Sequence, residues 1–512
     1  RRQRQMCIRD RSFQWSDIPF DVLNAMTLKE KKAFLKKEEM NIRQNLGEAV
    51  PTIIFRQIAS KIRKSLESSS FSNADASTYV KDNNLSTQES IISFLGRTKY
   101  DFSRISRIVE MANSERDNTA AYYTRQDVCF AIVNNLPDAK NFSNLTILEP
   151  SIGVGNFLPS LIEKYSSVTN VEIDVVDINP ASIEILQEML RHISIPENFQ
   201  INFINADTLI HRFDKKYDIV IGNPPYMKLT KDKSLSSIYK DSVRNKETNN
   251  LFAFFIEKAL SLGRFVSLIV PKSLINAPEY NVTRQQMSQF AITHFIDFGE
   301  KAFKGVKIET VSFTIDTDKK PSDVIVYSYI NNTVRNIRQS YITDTRFPYW
   351  LIYRDMDFDT VADSMQLGIF RAYRDRVITK RVTKSQGNIR VLKSRNIGNN
   401  EVVNIEGYDC FIDDASAYDV GKFLNHTECV LLPNLTYNPR ACFMPKDCIA
   451  DGSVAILTLI DPTLKIGTDD LAFYATDKFA KFYMTARNLG SRSLNIDNNS
   501  VFFFGKLNTQ TE

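Results

Sequence analysis

The chain holds no apolar run approaching a membrane span, which takes about twenty consecutive apolar residues, so no membrane partner is expected. Its six cysteines (Cys7, Cys129, Cys410, Cys429, Cys442, Cys448) are scattered without a CxxC pair, and its four histidines do not cluster with them. Neither a disulfide framework nor a zinc site is supported, no metal is expected, and a reducing cytoplasm is the expected compartment. There is no initiator methionine. Residues 1–11, RRQRQMCIRDR, lack the apolar stretch of a signal peptide and are read as a non-native tail outside the functional reading.

What is present is globular in composition, 43% hydrophobic and 24% charged. At 512 residues the chain exceeds one ordinary core, so two or three domains are expected. A net charge of +5 permits a nucleic-acid partner without requiring one.

The stretch around which the rest is organised is residues 217–226, YDIVIGNPPY. Ile219 to Ile221 are β-branched and apolar and Gly222 interrupts them, the pattern of a buried strand ending in a turn. Pro224 and Pro225 then fix φ and push the residue before each into an extended conformation. Such a turn at the carboxyl end of a strand is where an open α/β sheet binds its ligand. It presents the Asn223 amide, the Pro224 and Pro225 carbonyls, and the Tyr226 ring. That set suits a flat exocyclic amine whose hydrogens are accepted while a ring stacks on its base. An isolated Pro-Pro-Tyr would more simply be a surface loop, but the preceding strand and Gly-Asn argue for a site.

Further strands are expected at 145–149, 171–176 and 201–204, each followed by a polar or glycine residue and most alternating with helices. Residues 250–262 read as a Phe-rich helix, and 264–270, 291–297 and 309–315 as the remaining strands. This describes a doubly wound, Rossmann-like α/β sheet. After the first strand comes Glu149-Pro150-Ser151-Ile152-Gly153-Val154-Gly155, whose GxG allows a tight turn. The turn lacks the third glycine of a dinucleotide site, and Glu149 would repel a pyrophosphate. An acid there suits a ligand carrying an ammonium and a second cation, such as S-adenosylmethionine. Asp177 follows Gly155 by about twenty residues, the spacing at which a carboxylate meets ribose hydroxyls.

Asn223-Pro224-Pro225-Tyr226 resembles the catalytic motif of the amino-methyltransferases, which methylate adenine N6, cytosine N4 or a glutamine amide. Together with Tyr122-Tyr123-Thr124, the Glu149 to Phe157 turn, Asp177, Asp207 and Asn250-Leu251-Phe252, in that order, the chain resembles the γ group of N6-adenine DNA methyltransferases over roughly 119–315. That resemblance implies a cofactor, S-adenosylmethionine, held by Tyr123, Thr124, Glu149, Pro150, Gly153, Gly155, Asp177, Asp207, Asn223 and Phe252. It implies catalysis by Asn223, Pro224, Pro225 and Tyr226 on a base flipped from double-stranded DNA and stacked between Tyr226 and Phe303. One departure is visible: the family's small-Cys-Gly-Ser-Gly core reads Ser151-Ile152-Gly153-Val154-Gly155, with both glycines kept.

Domains are accordingly expected at 12–117 (helical, with a Ser-rich linker near 65–90), 118–317 (catalytic) and 318–512, a mixed α+β target-recognition domain. Thr124 reads as the N-cap of a helix over 125–135, with Asp127 in its first turn. In the last domain, residues 371–395 hold Arg371, Arg374, Arg376, Lys380, Arg381, Lys384, Arg390, Lys393 and Arg395 against the single acid Asp375, a local excess suited to phosphate contacts. The expected activity is the modification enzyme of a restriction-modification system, in a prokaryote or encoded by a phage. No PD…ExK-type nuclease pattern precedes Thr119, which leaves room for a separate cognate endonuclease. The competing readings are an N4-cytosine DNA methyltransferase, an RNA adenine methyltransferase, a release-factor glutamine methyltransferase (disfavoured by the long region after the sheet) and a DNA-binding or specificity subunit without turnover.

Overall fold

A computed structural model describes residues 71–113, 124–229, 233–303, 307–434, 438–490 and 495–508. The tail at 1–11, the helical material expected over 12–64, and Tyr123 lie outside the described residues. The chain divides into two compact units, Arg1–Ala76 and Ser77–Glu512, and every element from Gln88 onward belongs to the second. Within the stretch expected to be a linker, Asn73–Asp82 is helical, with Asp75 in its first turn and Lys81 in its last, the arrangement that complements a helix dipole.

Helices α1 (Gln88–Leu95) and α2 (Phe102–Ala112) come next. The second buries Phe102, Ile105, Ile108, Val109 and Ala112, a stripe at helical spacing, and Asp101 caps it by accepting from Arg104 N at 2.9 Å. Next come α3 (Gln126–Asn134), β1 (Asn144–Glu149), α4 (Leu158–Tyr165), β2 (Asn170–Asp177), α5 (Pro180–Leu190), β3 (Phe199–Asn205) and β4 (Tyr217–Gly222). They are followed by α6 (Lys233–Ser242), α7 (Leu251–Leu262), β5 (Gly263–Pro271), α8 (Asn281–Met287), β6 (Ala291–Gly299), β7 (Thr310–Asp316), β8 (Asp323–Ser328) and β9 (Thr333–Arg338).

All nine strands form one sheet in the order β3-β2-β1-β4-β5-β7-β6-β8-β9. Strands β1 to β5 pair in parallel, and β7 inserts antiparallel between β5 and β6. Near-continuous burial along β2, β4 and β5 is the signature of parallel strands covered on both faces. The doubly wound fold expected from the sequence is therefore present.

The sheet does not end near 317. Strand β8 pairs in parallel with β6, and β9 closes an antiparallel hairpin on β8, carrying the sheet to Arg338. Strand β8 alternates buried with more exposed positions and β9 half-buried with exposed ones, so the hairpin does not read like the apolar strands before it.

Beyond it lie a four-stranded sheet, β11 (Phe370–Tyr373), β17 (Val454–Leu459), β14 (Val430–Pro433) and β15 (Cys442–Phe443), and a three-stranded one, β13 (Cys410–Ile412), β12 (Ile389–Leu392) and β16 (Cys448–Ala450). A short ladder of β10 (Met365–Gln366) with β18 (Lys506–Leu507) and the helices α9 (Met356–Asp363), α10 (Thr468–Tyr474) and α11 (Asp477–Ala486) complete a mixed α+β region. Its core is aromatic, built on Phe358, Tyr474, Phe479, Phe482 and Phe503.

Candidate active site

The strand order reverses between β1 and β4, where the chain runs outward to β3 on one side and to β5 on the other. A doubly wound sheet opens its ligand crevice at such a switch point. The two turns singled out in the sequence meet there: Ser151 Oγ donates to the Asn223 carbonyl at 3.1 Å.

Glu149 ends β1 with 2% of its surface exposed. Its Oε2 has no hydrogen-bond partner among the described residues, and burial holds its carboxyl well above the usual carboxylate range. In the following turn Gly155 adopts φ +70°, a left-handed conformation that favours glycine, and a Cβ there would crowd the Leu186 side chain at 2.7 Å. Gly153 N donates to Asp177 Oδ2 at 3.1 Å, which aims the β2 carboxylate at the turn. Burial raises the Asp177 carboxyl, and the N–H groups of Asn179 and Gly153 oppose that rise. Asp207, after β3, accepts from Leu209 N at 3.0 Å and from the Tyr239 hydroxyl at 2.5 Å.

Glu149, Gly153, Asp177 and Asp207 line one cavity of about 540 Å3, together with Thr124, Pro150, Asn223, Pro224 and Pro225; Gly155 is buried within the turn and is not part of the lining. Asn223 Nδ2 donates to Thr124 Oγ1 at 3.1 Å. That bond fixes the orientation of the amide and makes Oδ1 its acceptor edge. The expectation that Thr124 caps the next helix is corrected. The N-cap of α3 is Arg125, which makes no side-chain cap bond, and its guanidinium grips Asp127 at 2.6 and 2.9 Å.

Phe252 is also corrected. It is fully buried and packs edge-on to Tyr226, with centroids 6.1 Å apart, instead of facing the cavity. On α7 the cavity wall is made by Leu251 and Phe255, which lie four residues apart on one helix face. Tyr226 itself turns inward. Its hydroxyl donates to the Ile269 carbonyl at 3.0 Å and its ring meets that of Phe303 at 6.1 Å and 60°, so the two expected stacking rings touch edge to face.

Residues 117–303 match the Eco57I restriction-modification methylase family. This part of the chain is similar to the methylases of restriction-modification systems. The type II methyltransferase M.VspI of Vibrio sp. (strain 343) is 26% identical over 199 residues, 38% of this chain and 47% of that protein. The type II methyltransferase M.HincII of Haemophilus influenzae is 29% identical over 218 residues, 40% of this chain and 38% of that protein. The chain thus spans less than half the length of these curated relatives. Among solved structures, the type IIL restriction-modification enzyme MmeI in complex with DNA superposes with a TM-score of 0.47 at 13% identity, over 79% of this chain and 71% of that one.

The cavity has further walls that carry no signature in the sequence. Gln88 and Ile91 of α1 and Val109 and Glu110 of α2 face the same cavity, so these helices close the site from a region expected to stand apart from it. From α6, Leu235 and Tyr239 complete the far end. Residues 227–229 and 249–251 pair at the base of this segment through Leu229 N to Asn249 O at 2.9 Å and Leu251 N to Met227 O at 3.0 Å. Replacing Tyr239 with Phe removes the hydroxyl that orients Asp207. A hydrogen bond to a charged group contributes about 1.5–3 kcal/mol, much of it recovered here by water, so roughly fivefold weaker S-adenosylmethionine binding is expected in calorimetric titration.

The basic stretch divides in two. Arg390 is committed internally to Asp409 at 2.7 Å and Asn404 at 2.6 Å; Lys393 bonds the Tyr408 carbonyl; and Lys384 pairs with Asp413 at 2.5 Å. For Arg390 and Lys393 a phosphate-binding role is replaced by a structural one, because residues 403–409 bring acceptors that a local charge count does not see. Arg395 lies over the Tyr408 ring at 4.9 Å. The side chains of Arg371, Arg374, Arg376, Lys380 and Arg381 have no partner among the described residues, and all but the half-buried Arg374 are exposed.

No helix of the described residues is long and apolar enough to cross a membrane.

Proposed function

We propose that the chain is a site-specific DNA methyltransferase acting on N6 of an adenine turned out of the duplex, as the modification enzyme of a restriction-modification system with a separate endonuclease. One observation carries the reading: the Asn223 amide, oriented by Thr124, stands in the same cavity as the orphaned Glu149 carboxylate. An acceptor for an exocyclic amine and an anion for a cationic cofactor are thereby brought together.

The cavity fits S-adenosylmethionine. Glu149 would take its cationic methionine end, Asp177 its ribose, and Asp207 with Leu251 and Phe255 its adenine. When bound, that cofactor supplies an electrophilic methyl group on a sulfonium. The chain's own task is at the target nitrogen, whose lone pair is conjugated into its ring. Asn223 Oδ1 and the Pro224 carbonyl accept its two hydrogens, which favours a tetrahedral nitrogen with its lone pair free. Positioning and fixed dipoles supply the rate, and no covalent enzyme intermediate is needed. A base inside a duplex cannot reach Asn223, so it must be extruded. Since Tyr226 and Phe303 now touch, they must part to admit it.

The acceptor class is the test. With labelled S-adenosylmethionine, label is expected in unmethylated genomic DNA and not in RNA or a release factor; label in either of the others with none in DNA would overturn the reading. The free cations should dominate DNA affinity. Arg371→Ala with Arg376→Ala is expected to lower the slope of log affinity against log salt by about 2, near 0.9 per phosphate contact, with transfer at saturating DNA unchanged. Arg390→Ala should instead lower the melting temperature, since it breaks an internal ion pair.

A further inference from the structure

Residues 347–354, FPYWLIYR, form a buried strut. On one side it is stitched to the end of α11: Tyr349 Oη donates to the Ala486 carbonyl at 2.9 Å, Ile352 N to Asn488 Oδ1 at 2.9 Å, and Asn488 Nδ2 to the Trp350 carbonyl at 2.8 Å. On the other it meets the methyltransferase sheet. Trp350 N donates to the Ile275 carbonyl at 3.1 Å, and Tyr353 Oη lies 2.7 Å from both Asp297 Oδ2 and Ser328 Oγ.

Asp297 is fully buried near the end of β6. It also accepts from Lys272 Nζ at 2.6 Å and, through Oδ1, from Gly299 N at 3.0 Å. Gly299, at φ +54°, starts the turn that leads to Phe303. Past it, Lys301 N donates to the Phe298 carbonyl at 3.0 Å and Arg125 reaches the Lys301 carbonyl at 3.3 Å. A buried ion pair is near break-even against apolar packing of the same shape. The Lys272–Asp297–Tyr353 cluster adds a single allowed geometry for the turn after β6.

We propose that Tyr353 is a positioning residue for methyl transfer. Through Asp297 it sets the turn that carries Phe303, and so couples the C-terminal region to one wall of the target-base site. This rests on the proposed function, in which Phe303 and Tyr226 are those walls. Tyr353 touches neither substrate nor cofactor.

The coupling calls for a double-mutant cycle on the full chain with Tyr353→Phe, Phe303→Ala and both together. Tyr353→Phe keeps the ring and the Lys272–Asp297 pair and loses one bond to a charged group. A drop of about tenfold in the single-turnover transfer rate is expected, with S-adenosylmethionine and DNA dissociation constants changed less than about twofold. In the Phe303→Ala background the same substitution should cost less than about twofold, because coupled residues are not additive. Losses that multiply in the double variant, an unchanged rate, or a loss confined to DNA affinity would each overturn the proposal. If Tyr353→Phe does not fold, Ser328→Ala, which loosens the same hydroxyl, replaces it in the cycle with the same criteria. A wild-type chain that binds the cofactor yet transfers no methyl to DNA overturns the proposed function itself, and this inference with it.

Discussion

Glu149→Gln is expected to weaken S-adenosylmethionine binding about a hundredfold while leaving the fold intact. The carboxylate is the buried anion of the cavity, and removing one partner of a buried ion pair costs about 3–5 kcal/mol, reduced here because glutamine still accepts a hydrogen bond. In the free protein, burial raises the Glu149 carboxyl well above its usual range. The buried Cys129 thiol is itself pushed up by burial and by this carboxylate, so it stays protonated. A cationic ligand selects the ionised form. Affinity should therefore rise as pH increases through the raised Glu149 pKa, with about one proton released per cofactor bound.

Linkage fixes the sign for stability as well. An acid whose pKa is raised on folding stabilises the protein below its unfolded value, and that contribution is lost as pH rises toward the folded one. The free protein should lose stability over that window and the glutamine variant should not. Calorimetry in buffers of different ionisation enthalpy reads the proton release. Unchanged binding and pH dependence in Glu149→Gln would remove this carboxylate from the cofactor site.

The second large effect is on chemistry, not binding. Asn223→Ala removes an oriented acceptor from the reacting nitrogen, and deleting one such group typically costs about 10²–10³ in rate. Cofactor affinity should change less than the rate, since Glu149, Asp177 and Asp207 remain in the cavity. Thr124→Val, which leaves the amide in place without its orienting bond, should fall between the two. Single-turnover transfer with saturating cofactor separates rate from binding. An alanine variant that keeps its rate would show that the amide is not what holds the amine.

Strands β2, β4 and β5 are legible in the sequence because parallel strands buried on both faces must be largely apolar, and the turns at Gly155 and Asn223 because a glycine at positive φ and two consecutive prolines mark them. The half-exposed β8–β9 hairpin lacks that apolar signature, so pattern alone stops the sheet early, at Thr317. Phe252 and Phe255 are equally aromatic neighbours, and only the turn of α7 decides which one faces the cavity. Tyr239 and Glu110 reach the site from segments with no signature of their own; their roles depend on tertiary packing. The same holds for Arg390 and Lys393, whose partners come from a loop more than a strand away.

The most direct test is the identity of the methylated nucleoside. Unmethylated genomic DNA is incubated with labelled S-adenosylmethionine and the wild-type or Asn223→Ala chain, then digested to nucleosides. Label in N6-methyldeoxyadenosine with the wild type, reduced about 10²-fold or more with the variant, is the expected result. Label in N4-methyldeoxycytidine would keep the role of Asn223 and overturn the base, and no labelled nucleoside from a chain that binds the cofactor would contradict DNA methylation altogether.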